Sequence, residues 1–121
     1  MNVAFIIAAG LSLLTWGIHT FVGGPRIAGP LLRSALPTVP KYTSYYCWHL
    51  VTIVLLAMAA GFAYAAFVPS GLDVAWLATL LALAFMGWSV ALAFGKVRRP
   101  LHLPQWLLFL TISVAALVGL A

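Results

Sequence analysis

Six cations fall in two of the three segments that join four long apolar runs, and the runs themselves carry no formal charge. Arg26, Arg33 and Lys41 lie between runs one and two, while Lys96, Arg98 and Arg99 lie between runs three and four. The lone acid, Asp73, sits in the remaining segment. A stretch of about 20 apolar residues crosses the hydrocarbon of a bilayer as a helix, so this pattern predicts an all-α fold, a four-transmembrane-helix antiparallel bundle. Segments rich in Lys and Arg stay on the cytoplasmic side during insertion. The two basic segments are therefore expected there, with both termini on the non-cytoplasmic side. The expected location is the bacterial cytoplasmic (inner) membrane.

Composition closes off most alternatives. The 121 residues are 65% hydrophobic and 6% charged, with a mean hydropathy of +1.16, far from the soluble balance of about half apolar and a quarter charged. Four spans use nearly the whole chain, leaving a single integral membrane domain over 1–121. A net charge of +5 would suggest nucleic acid in a soluble protein, but insertion already accounts for it. No nucleic-acid partner is expected. The bilayer itself is the first partner, with Arg26, Arg33, Lys96, Arg98 and Arg99 placed to contact anionic headgroups. Cys47 is the only cysteine and so forms no internal disulfide.

Punctuation residues set the expected element bounds. Helix one is expected over about 2–22, ended by Gly23, Gly24 and Pro25. The basic segment 23–42 holds Pro25, Pro30, Pro37 and Pro40, a density that argues against a long regular helix. Thr43 or Ser44 can cap a second helix over about 44–68. Ser70 with Asp73 resembles a capping box opening a third helix over about 72–95. The basic segment 96–103 follows, and Pro104 suits the first turn of a fourth helix over about 104–121. Small residues four apart, Ala57, Gly61 and Ala65 in helix two and Gly87, Ala91 and Gly95 in helix three, mark expected close-packing seams.

Three histidines gather near the ends expected to be cytoplasmic. Ionisable groups at membrane depth are costly and point to a role. His19 shares a helical face with Thr15, Ser12 and Ala8, and His49 with Thr52, Leu56 and Ala60. Those faces place both imidazoles inside the bundle at similar depth, with His102 closing over them. Imidazole is the commonest metal ligand, so His19, His49 and His102 form a candidate metal or haem site. Tyr45 and Trp48 stand beside His49 and could line an aromatic pocket with His19. Their alternative role is that of interfacial anchors.

Catalytic chemistry is scarce. There are no paired carboxylates, no His-Glu-x-x-His, no Walker loop and no Ser, His and acid constellation. Helix one carries no Asp or Glu of the kind that drives proton exchange in small four-helix exporters. The reading is a non-catalytic integral membrane protein rather than an enzyme. It would act as an accessory subunit of a larger assembly or as a homo-oligomer, with a cytoplasmic-side His/aromatic pocket for a partner or ligand. Two alternatives stand beside it: a haem- or metal-binding electron-transfer protein, and a small transporter or lipid-handling protein.

Overall fold

The computed structural model describes residues 1–121 and is helical throughout, without strands. Three helices are long and apolar enough to cross a membrane: α1 (Val3–Arg33), α2 (Thr38–Phe67) and α3 (Pro69–Val97). The fourth, α4 (Gln105–Leu120), has 16 residues, about 24 Å of helix, and is preceded by a short turn of 3-10 helix at Pro100–His102. This is the makeup of an integral membrane protein.

The proline-rich segment departs most from the expectation. Helix one does not stop at Gly23; α1 continues through Gly24 and Pro25 to Arg33. It does so by widening. Residues Ile18–Ala28 form π-type turns, and the amide of Gly29 donates to the carbonyl of Gly24, five residues back. Proline in an α-helix lacks its amide and presses on the carbonyl four residues before it. A wider turn removes that bond and moves the carbonyl away, so Pro25 is accommodated. Pro30 falls at the start of the ordinary helical turn that follows, Gly29–Arg33.

The other two prolines open α2. Pro37 is its N-cap and Pro40 its third residue, where amides have no intrahelical acceptor anyway. The first backbone bond runs from the amide of Lys41 to the carbonyl of Pro37 at 3.1 Å. The helix therefore starts at Thr38 rather than near 44, and the joint before it shrinks to residues 34–37. Ser44 does not cap. Its hydroxyl donates to the carbonyl of Pro40 at 2.8 Å within the helix.

Neither Ser70 nor Asp73 makes the expected capping box. The α-helical part of α3 begins after Gly71 with no side-chain cap, and Asp73 lies exposed in its first turn. There it complements the positive end of the helix dipole. Gly71 is required by packing instead: a Cβ on it would stand 2.9 Å from the Cα of Ala65. At the far end, α3 stops at Arg98, which adopts φ 55°, the left-handed geometry that ends many helices.

The register is antiparallel throughout. Asn2 donates through its backbone amide to the carbonyl of Ala66 at 2.8 Å and through Nδ2 to that of Gly119 at 2.8 Å. Both termini thus meet the end of α2 at one end of the bundle. Phe5 stacks on Phe62 with centroids 6.2 Å apart, and Phe85 meets Phe109 edge-on at 5.2 Å. α1 packs against α2 and α4, and α4 against α3. All six cations lie at the end opposite the termini, on α1, α2, the last turn of α3 and the joint after it.

Small residues do line the seams, but only partly those expected. Gly61 and Ala65 are buried, whereas Ala57 is exposed. In α3 the buried face runs through Ala75, Ala78, Thr79, Ala82, Ser89 and Ala93. Gly87, Ala91 and Gly95 face outward, with open space where a Cβ would stand on either glycine. Two helical stripes of small residues share α3 on nearly opposite faces, and the one carrying Thr79 and Ser89 faces the bundle. Thr79 satisfies its hydroxyl on its own helix, at the carbonyl of Ala75, 2.7 Å away.

Candidate functional site at the cation-rich end

The wide turns of α1 present His19 and Gly23 to α2. His19 stacks on the indole of Trp48, with centroids 3.9 Å apart and planes at 18°. Its Nε2 lies 3.2 Å from the carbonyl oxygen of Trp48 and 3.1 Å from Oγ1 of Thr52. A carbonyl only accepts, so Nε2 carries the hydrogen. The Thr52 hydroxyl donates to the same carbonyl at 3.2 Å, which leaves its lone pairs facing Nε2. This three-cornered arrangement gives a polar group at helix depth local partners, as an apolar surround demands. Gly23 makes room for it: a Cβ there would stand 2.8 Å from Cη2 of Trp48.

The face of His19 runs inward as expected, with Ala8, Ser12 and Thr15 buried. That of His49 does not. The buried face of α2 passes through Leu55, Met58, Phe62 and Ala65. Trp48 and Thr52 continue it toward the cation-rich end. His49 lies about 100° round the helix from Trp48, is exposed together with Leu56 and Ala60, and meets the ring of Tyr45 edge-on at 4.6 Å. The two histidines therefore do not converge. Trp48 stands between two clefts, with His49 and Tyr45 in one and His19 in the other.

The larger cleft is the more developed site. It is a cavity of about 370 Å³ between α1, α2 and the start of α4. Volumes from about 300 Å³ suit small organic ligands. Ile18, Val51, Leu55, Leu108 and Phe109 supply apolar wall; Arg26, His19, His102 and Gln105 supply the polar groups. The structure thus brings His102 to the same cavity as His19, as expected, while placing His49 outside it. Gln105 was not expected. Its Oε1 is buried without a hydrogen-bond partner, and the signal available in the sequence was its place as the one glutamine, directly after Pro104.

The metal set is not assembled. No three His, Cys, Asp or Glu side chains come together, because His49 faces the other cleft and the His19 Nε2 is engaged by Trp48 and Thr52. Cys47 is exposed and unpaired. Of the expected headgroup contacts, Arg26 lines the larger cavity, while Arg33, Lys96, Arg98 and Arg99 are exposed around the same end. No family model, characterised protein or solved structure matches this chain.

Proposed function

We propose that the chain is a non-catalytic integral membrane protein that crosses the inner membrane four times, with both termini outside and a cytoplasmic-side pocket for a small ligand. The cavity carries this reading: its size and its apolar wall with a few polar groups are the features of a binding site. α4 is shorter than a full ~30 Å hydrocarbon core, and its packing between α1 and α3 supports its spanning with them. The distribution of cations supports the orientation. The one hydroxyl beside an imidazole, that of Thr52, meets a His19 Nε2 that carries its hydrogen toward the Trp48 carbonyl and so is no base for it, and binding rather than turnover fits the residues present.

A second reading is favoured by the outward stripe of Gly87, Ala91 and Gly95. It offers close backbone approach to another helix, as an accessory subunit or a homo-oligomer would need. Native mass spectrometry of gently extracted protein tests both readings together. The expected spectrum shows a small non-covalent adduct on the wild-type chain that disappears in Leu108→Trp, whose indole would fill the cavity. An adduct-free wild type, or an adduct that persists in Leu108→Trp, contradicts the pocket. A spectrum with only monomer contradicts the second reading.

A further inference from the structure

We infer that the ligand of this cavity is an anionic single-chain amphiphile, held with its carboxylate or phosphate head at Arg26 and His102 and its tail along the apolar wall. The inference rests on the pocket reading above and names the chemistry of its occupant.

The cavity is graded. Arg26 and His102 are exposed at its cation-rich mouth, whereas Leu55 and Phe109 are buried in its wall. Along α2 its lining extends from Trp48 to Leu55, on the order of 10 Å. A guanidinium at the mouth attracts an anion and forms charge-assisted hydrogen bonds to carboxylate or phosphate oxygens. The surroundings reinforce this, since all six cations lie at this end and the one acidic side chain, Asp73, at the other. A cation would meet no carboxylate here, and a wholly polar anion would leave the apolar wall wet.

His19 is held against Trp48 and Thr52 and closes one side of the cavity rather than reaching for the head. Burial of the tail against the apolar wall gives affinity, and Arg26 gives the preference for negative charge.

Native mass spectrometry in a neutral maltoside detergent can titrate the full chain with dodecanoate, dodecyl phosphate and dodecanol. Either or both anions should bind at least about tenfold tighter than the alcohol, the worth of one charge-assisted hydrogen bond. Whichever anion binds tighter identifies the head as carboxylate or phosphate. Arg26→Gln should erase that preference while Arg26→Lys keeps most of it, and Arg33→Gln, away from the cavity, should leave it intact. Dodecanol binding as tightly as both anions overturns the anionic head but leaves the pocket standing. An equal loss in Arg33→Gln and Arg26→Gln also overturns it, because the effect is then general surface charge. Binding of none of the three overturns the inference and the pocket together.

Discussion

Gly119→Leu should destabilise the fold more than any other single change at the terminal end. A Cβ on Gly119 would lie 2.5 Å from Cδ1 and Cε1 of Phe5, and neither side can retreat. Phe5 is 3% exposed and stacked on Phe62, while the Gly119 carbonyl is held by Nδ2 of Asn2. Overpacking of a dense interior costs about 1–3 kcal/mol, and a site pinned on both sides belongs at the upper end. Thermal unfolding in detergent should show a clear loss for Gly119→Leu and a smaller one for Gly119→Ala. The same leucine in a Phe5→Ala background should cost far less, because the ring it meets is gone. Equal costs in both backgrounds would contradict the contact.

Gly23→Leu should have the second largest effect, at the opposite end and on the site itself. The indole of Trp48 occupies the space a side chain would need, with Cη2 at 2.8 Å and Cζ2 at 3.2 Å. Leucine would displace it, break the stack on His19 and open the wall between the two clefts. About 1–3 kcal/mol of stability should go with it. Its local signature is in Trp48 emission, obtained by subtracting a Trp48→Phe variant: the band should shift to the red as the ring enters a more polar setting. An unshifted band with unchanged stability would mean that Gly23 is not the seat of the indole.

Some of this arrangement is legible in the residues and some is not, for identifiable reasons. The Ala8, Ser12, Thr15 and His19 stripe announces its inward face because small and hydroxyl side chains stand out against leucine and isoleucine. The face of His49 is lost because α2 begins six residues early and is apolar on nearly every side. One position of rotation then decides which aromatic points inward, and it is Trp48. Counting prolines misleads in 23–42, since their cost depends on place: Pro37 and Pro40 sit where no amide is needed, and Pro25 sits in a widened turn. The small-residue stripe of α3 misleads for a different reason. Two such stripes lie on that helix, and spacing alone does not say which one faces α4.

Of the cavity, His19, Trp48 and His102 are legible in the residues, while the wall from α4 is not, because it depends on three helices meeting. Gln105 shows why. In the sequence it is one polar residue after a proline, and only the packing of α4 beside α1 puts it on the same cavity wall as Arg26.

The central claim is that the cation-bearing end, with its cavity, faces the cytoplasm. Cysteine labelling in intact cells with a membrane-impermeant maleimide tests it most directly. In a Cys47→Ser background, Ala35→Cys places the thiol in the exposed joint between α1 and α2, and Ser70→Cys places it on the exposed first turn of α3. The account predicts that Ser70→Cys is labelled on intact cells and that Ala35→Cys is labelled only after the membrane is opened. Labelling of Ala35→Cys on intact cells, with Ser70→Cys protected until lysis, would contradict it.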